Sequence, residues 1–325
     1  MFKNLKNEVG IALFLVLWVL TLLSVIVGEF CYAMRTEVNI TRNFKEMTQS
    51  YYIAAAGLNL AISQLIANSG KPFKATGENG EADEKIPWRV NAEIPAIAFA
   101  QGQFEVRIDN ESGKVNVNTA GHELLTLILN GFELDDTDKN IIVDSISDWR
   151  DKDDLHRING AENDYYLSLP DPYHCKNSDF DSVEELLLVR GISPEIFYGG
   201  LKDRVTVYQD KTAKEKPQRS ININAAASSL LLALPGMTED MVQNLTEYRK
   251  EADITSLADL IEIFGIETYT AIRKFITLES CAYFTIKSMG SMKESTINQG
   301  IQALVKINTR EKKYKILQWV DRISK

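Results

Sequence analysis

The chain of 325 residues is poor in the residues that staple or catalyse: three cysteines, three histidines and eight prolines. Cys31, Cys175 and Cys281 cannot build a disulfide framework. Cys175 and Cys281 could pair in an oxidising compartment, an unpaired state fits equally well, and the bond stays open. His122, His156 and His174 stand in no HExxH or other metal-hydrolase spacing. GxSxG and phosphate-loop motifs are missing too, so no residue pattern implies an enzyme. Few prolines, eighteen glycines and no polar tract exclude a collagen-like or mainly disordered chain. With 45% hydrophobic and 25% charged residues and a mean hydropathy of −0.16, the rest reads as folded protein of roughly two domains.

Positive charge is also scarce where it would matter. The net charge is −9, and Thr119 to Ser280 holds 30 acidic against 16 basic residues, hence −14, which leaves the remainder at +5. An acidic middle repels phosphate backbones and attracts divalent cations.

Charge is wholly absent from Val9 to Gly28. Ile11 to Val27 reads IALFLVLWVLTLLSVIV, long enough to cross the hydrocarbon core as a helix. Lys3 and Lys6 precede it against a single Glu8, which keeps the leader cytoplasmic and puts everything after Gly28 across the membrane, in a bacterium the periplasm. The run exits through Gly28-Glu29-Phe30-Cys31, a poor signal-peptidase site, and the bulky Phe30 argues against lipidation of Cys31. Phe30 to Ile66 has no proline and continues the helix, with Tyr51, Tyr52, Ala54, Ala55, Leu58, Ala61, Ile62 and Leu65 marking an apolar face.

A short basic leader ending in Gly10 and followed by Ile11-Ala12-Leu13 resembles the type IV prepilin leader, which a prepilin peptidase cuts after the glycine. The long helix behind it resembles a pilin spine. Most pilins and pseudopilins carry a glutamate five residues into the mature chain; here that position is Leu15. A carboxylate there neutralises a neighbour's α-amine in an apolar filament core, and leaving either charge unpaired costs several kcal/mol. A subunit without it needs no predecessor, the pattern of the K minor pseudopilin family of type II secretion systems.

Further along, Arg89 to Ile94 and Gln103 to Ile108 alternate as half-buried strands do, and Asp109 to Lys114 reads as a hairpin turn into Val115 to Asn118. Tyr283 to Met289, Ile297 to Asn308 and Lys315 to Val320 are again strand-like, and 71–85 reads as a loop. The expectation is an α+β fold. A leader (1–10), a transmembrane part (11–28) and a periplasmic part (29–67) of one spine helix pack on an antiparallel pseudopilin sheet (68–118 and 281–325). A large helical, helix-hairpin-helix-like insert (119–280) interrupts that sheet. Within it, Val115-Asn116-Val117-Asn118-Thr119-Ala120 recurs as Ile221-Asn222-Ile223-Asn224-Ala225-Ala226, each followed by a Leu-Leu pair. Leu188 to Pro194 and Leu234 to Thr238 read as hairpins with a bend glycine and a Ser or Thr cap. Such modules often bind DNA, but Glu195 and Glu239-Asp240 stand where phosphate would sit, so no nucleic-acid partner is expected.

The densest carboxylate run is Asp148-Trp149-Arg150-Asp151-Lys152-Asp153-Asp154, followed by Gly160 to Tyr166. Oxygen ligands gathered in one loop suit calcium. Counting from Asp151, Asp153 is third and Glu162 twelfth, as in an EF-hand, but Leu155 and His156 fall where a ligand and a glycine belong. A merely solvated acidic loop is the competing reading. Because members of the K family bind calcium in the insert, the resemblance implies a structural Ca²⁺ held by Asp151, Asp153, Glu162 and Asp164, with Asp148 as a further ligand.

The resemblance also implies cleavage between Gly10 and Ile11 with methylation of the new terminus, and a single-pass inner-membrane protein with a periplasmic C-terminal domain. The implied partners are the I and J minor pseudopilins, the major pseudopilin, the prepilin peptidase and the inner-membrane assembly platform. Tyr51 to Leu65 is the stretch expected to pack on the partner pseudopilins. The function implied is that of a subunit that starts or tips the pseudopilus for export of folded exoproteins. A minor pilin of a type IV pilus or competence system is the alternative.

Overall fold

The computed structural model of the chain describes residues 6–68, 86–208, 218–293 and 295–323. The loop expected over 71–85 and residues 1–5 of the leader lie outside them. In chain order come α1 (Lys6–Asn68), β1 (Ile97–Phe99), β2 (Gly102–Asn110), β3 (Val115–Asn116), α2 (His122–Ile128), α3 (Asp136–Arg150), α4 (Asn163–Tyr166), α5 (Pro194–Ile196), α6 (Lys202–Arg204) and β4 (Val205–Thr206). Then follow β5 (Ile221–Asn222), α7 (Ser228–Leu231), α8 (Glu239–Glu251), α9 (Leu260–Ile272), β6 (Ile276–Thr277), β7 (Tyr283–Met292), β8 (Asn298–Asn308) and β9 (Lys313–Ile323).

The single helix α1 runs unbroken for 63 residues, as the lack of proline requires. Its first half is exposed and apolar enough to cross a membrane. The second half buries Ile53, Ala54, Leu58, Ala61, Ile62 and Leu65 against one face of an antiparallel sheet, where Phe104, Ile108, Ile286, Ile301 and Val305 meet them. Each such side chain contributes on the order of 2 kcal/mol through area removed from water. The apolar face of Tyr51 to Leu65, expected to meet partners, is thus covered by the chain's own sheet. Small residues set the approach: a Cβ on Gly290 would stand 2.1 Å from the Ser50 carbonyl oxygen, and one on Gly57 2.7 Å from Phe104.

The strand order is β1-β2-β7-β8-β9. β2 and β7 pair antiparallel from Gly102↔Met292 to Asn110↔Phe284, so the chain leaves the sheet after β2 and returns beside the same strand. Two expectations change. Asp109 to Lys114 is no hairpin: the Asn110 side chain caps a 3-10 turn over Glu111–Gly113 that leads out of the sheet, and Val115-Asn116 pairs in parallel with Val205-Thr206. Arg89 to Ile94 is no strand either. Asn91 adopts φ 56°, donates its amide to Ile108 O at 3.1 Å and its side chain to Asn224 O at 2.9 Å, while Arg89 pairs with Asp253 at 2.9 Å. This segment ties the sheet to the insert.

The insert is a duplication, deeper than the short repeat suggests. In the first copy Asn118 exchanges side-chain bonds with the backbone of Phe180 (3.0 and 2.7 Å); in the second Asn224 does so with Ile254 (2.9 and 3.0 Å). β3 pairs with β4 and β5 with β6, both in parallel. Arg150 donates to Ala120 O and Arg249 to the equivalent Ala226 O, each at 2.8 Å. Hairpin glycines at positive φ follow the same order, Gly131 and Gly191 in one copy, Gly236 and Gly265 in the other. The copies differ where Arg150 is followed by Phe180 thirty residues later and Arg249 by Ile254 after five. The additional residues are the acidic loop.

Replacing Gly290 by Val forces the spine off the sheet; the expected loss is about 3 kcal/mol, read as a lower urea midpoint for the detergent-extracted protein.

Candidate functional site

The loop after α3 hangs from an aromatic cluster. Trp149 packs edge-on to Tyr166 with ring centroids 5.2 Å apart and stacks on Phe180 at 6.3 Å, and Tyr166 lies 5.3 Å from Tyr173. Trp149 and Tyr166 are buried, which places the last turn of α3 against the start of α4. Asp148 in that turn is fully buried, and Glu162 at the cap of α4 is 1% exposed. Gly160 lets the backbone pass: a Cβ there would be 1.8 Å from Asp148 Oδ2.

Of the five carboxylates expected to act together, three share this place. Arg157 Nη1 donates to both Asp148 and Asp151. Burial nevertheless holds the Asp148 carboxyl above the usual range, against its bonds from Arg157. Burial first, then the charges of Asp148, Asp151 and Asp154, push Glu162 up to about 7. Asp153 and Asp164 are exposed and turn to local backbone, accepting from the N–H of Leu155 at 3.0 Å and of Tyr165 at 2.8 Å. The EF-hand echo therefore does not describe the loop.

Two further residues belong to this place: Asp154, read in the acidic run but not as a ligand, and Asn177, which sequence reasoning missed. Asp154 accepts from Asn163 at 2.7 Å and from Asn177 at 2.9 Å. Asn177 stands at φ 48°, and only the tolerance of asparagine for the left-handed region could have flagged it.

Around this loop, among the described residues, four buried oxygens have no hydrogen-bond partner: Asp151 Oδ1, both oxygens of Glu162 and Asn177 Oδ1. The Cys175 thiol beside Glu162 is a weak donor at best, and burial pushes it up to about 12. Neither Cys175 nor Cys281 forms a disulfide; Cys281 lies against Asn110. Leaving a buried carboxylate unsatisfied costs several kcal/mol, and oxygens of this kind are the donor type that hard cations take. Among the described residues no three His, Cys, Asp or Glu side chains stand at metal-holding separation, and the Arg157 guanidinium bridges Asp148 and Asp151.

At the other end of the chain, Gly10 and Ile11 lie in the opening turns of α1 and Leu15 a turn further on, where its side chain is exposed as a membrane-embedded face would be.

A spine helix on one antiparallel sheet, with a helical domain let in between neighbouring strands, is the architecture of a pseudopilin carrying an inserted domain. The family model "Type II secretion system (T2SS), protein K" matches residues 102–210, and a helix-hairpin-helix motif model matches 216–277. Over the first of these stretches the chain resembles the type II secretion system protein K family. Similar proteins include the protein K of Pectobacterium carotovorum subsp. carotovorum, 28% identical over 59% of this chain and 61% of the relative. That of Aeromonas hydrophila is 25% identical over 70% of this chain and 71% of the relative. The chain thus spans about three fifths of the length of the Pectobacterium relative. The fold is similar to a chain in the crystal structure of the GspK-GspI-GspJ complex from the enterotoxigenic Escherichia coli type 2 secretion system, with TM-score 0.59 and 18% identity, covering 87% of this chain and 99% of that one.

In calcium-free buffer Glu162 binds its proton more tightly folded than unfolded, so stability is full below its unfolded value of 4.5 and falls as pH rises to about 7. The expected loss is about 3 kcal/mol, read as a melting temperature that declines between those values and is flat in Glu162→Gln.

Proposed function

We propose that this chain is a minor pseudopilin of a type II secretion system, anchored by one pass through the bacterial inner membrane with its folded part in the periplasm. It starts or tips the pseudopilus that drives folded exoproteins across the outer membrane. The observation that carries this reading is the insert of some 170 residues between β2 and β7, beside a spine whose exposed half fits a membrane. A domain that wide would clash with helically stacked neighbours on all sides, and it fits at an end. Leu15 agrees, because a first subunit has no earlier α-amine to neutralise. The partners follow from the relative crystallised with GspI and GspJ: the I and J minor pseudopilins, then the major pseudopilin and the assembly platform. The role is structural, as a family of secretion-machinery components implies.

Prepilin peptidase is the processing enzyme of this reading. Intact mass of membrane-extracted protein is expected to give a chain starting at N-methylated Ile11 only when the peptidase is present; an uncut Met1 would remove the filament role.

Calcium is the cation of the acidic loop. Asp151, Glu162 and Asp148 are the carboxylates that would hold it, with Asp154 and Asn177 in place of Asp153 and Asp164. Binding requires Arg157 to release its two carboxylates and Glu162 to shed its proton, so calcium stabilises more strongly at pH 8 than at pH 6. At a hundred times its Kd, calcium should add about 2.7 kcal/mol of stability, measured as a rise in melting temperature that chelator reverses. Asp151→Asn should lose most of that rise while folding normally in chelator.

A further inference from the structure

The two copies of the insert use their arginines differently. Arg150, at the end of α3, spends both branches of its guanidinium on the first copy, donating to Val117 O and, at 2.8 Å, to Ala120 O. By the repeat, Val117 and Ala120 correspond to Ile223 and Ala226. Among the described residues, Arg249 near the end of α8 donates only to Ala226 O, at 2.8 Å. Its Nε and Nη2 are buried without a hydrogen-bond partner, and the whole residue is 5% exposed. Those two N–H groups lie along one edge of the planar guanidinium and point the same way, the fork that takes an anion side-on.

Charge does not compensate this fork. The Arg150 guanidinium lies in the field of Asp151 and Asp179 as well as that of Arg157. On Arg249 burial acts first, then the charge of a second guanidinium, Arg89, and together they push it down to about 9. Arg89 arrives from the segment that ties the sheet to the insert, donating to Asp253 at 2.9 Å, to Lys250 O at 3.1 Å and to Arg249 O. Two guanidiniums against one carboxylate leave a positive charge inside the joint, and a buried cation with no counterion is strongly disfavoured.

We propose that this joint binds one small monovalent anion, chloride, on the Nε and Nη2 edge of Arg249 and in the field of Arg89. One negative charge balances the joint, whereas a divalent phosphate or sulfate would overshoot it. Because both donors are buried, the site takes an ion little larger than a water and keeps out a peptide carboxylate or a nucleic-acid phosphate. The ion does in the second copy what Val117 O does in the first. It also joins Arg249 on the insert to Arg89 on the approach to the sheet, so that it fixes how the insert is held.

Two measurements on the detergent-extracted full chain test the site: crystals grown in bromide, whose anomalous signal marks the halide, and melting temperatures in chloride against gluconate at equal ionic strength. Expected are a bromide peak at hydrogen-bond distance from Arg249 Nε and Nη2 and a melting temperature several degrees higher in chloride, since a ligand of the folded state alone adds stability. In Arg249→Gln the chloride shift should vanish. If that variant does not fold, Arg89→Gln, which removes the neighbouring positive charge, should shrink the shift instead. A water or the Asp253 carboxylate at the fork, with equal melting in both salts, would overturn the site. So would a bromide peak there without a chloride shift, which is an adventitious ion only, a shift with no halide at Arg249, or a shift that a folded variant keeps in full.

Discussion

Everything outside the membrane depends on one pairing: β2 with β7, strands that meet from Gly102↔Met292 to Asn110↔Phe284. The entropy of closing so long a loop grows only slowly with its length, so a whole domain can be let in without unmaking the sheet, provided that its two ends come back together. Asn110 secures that closure. Its amide donates to Cys281 O at 2.9 Å and its carbonyl accepts from the Cys281 N–H at 3.4 Å, across 171 positions. The same carbonyl accepts from the Ser112 N–H at 3.0 Å, so one side chain starts the turn out of the sheet and receives the chain that returns. The spine then covers the rejoined strands, and Gly290 on β7, just where Ser50 and Ala54 pass, lets helix and sheet come into contact.

The insert reaches its own stability by repetition. Each copy uses an asparagine to hold a distant backbone segment and an arginine to hold the strand end. These are half-buried or buried polar groups bonded to distant backbone, which specify one arrangement where apolar packing alone would allow several. Arg249 shows what that specificity costs. Burial and the nearby Arg89 push it down to about 9, yet its bond to Ala226 O keeps the second copy closed as Arg150 closes the first. The hairpin glycines serve the turn geometry: Thr238 caps α8 through the Met241 N–H at 3.3 Å, and Glu239 and Asp240 fill its first turn. Negative charge there satisfies the helix dipole from within the chain.

Legibility in the sequence followed the range of the forces. The spine, β2 and β7 to β9 were readable because their patterns are local: no proline over 63 residues, and apolar alternation along each strand. The Val-Asn-Val-Asn repeat was readable as a repeat but not as half of a duplication, since its partners Phe180 and Ile254 stand 62 and 30 residues away. Arg89 to Ile94 alternates like a strand, and its backbone was taken by Asn91 and the insert. In the acidic loop the carboxylate run was legible, and which of its side chains come together was not. Asp153 and Asp164 turn instead to the N–H two residues on and to the next one. Asn177 enters from 23 residues beyond Asp154, a distance that no spacing rule covers.

Comparing the two copies explains why the loop needs more than packing. The second copy crosses from Arg249 to Ile254 in five residues with two carboxylates on the way, Glu251 and Asp253, the latter paired with Arg89. The first takes thirty residues for the same step, and outside the Trp149, Tyr166, Tyr173 and Phe180 cluster the stretch from Asp151 to Ile158 has no buried side chain. Ordering such a stretch costs on the order of 1 kcal/mol per residue, far beyond what exposed side chains return. Something must hold it, and what lies at its base is a set of buried oxygens facing one guanidinium. Arg157 can satisfy Asp148 and Asp151, but its own half-exposed stem gives it little hold, and it leaves Glu162 without a donor. The calcium proposed above would meet all of these oxygens at once, and that proposal would supply the hold that packing and one guanidinium leave wanting.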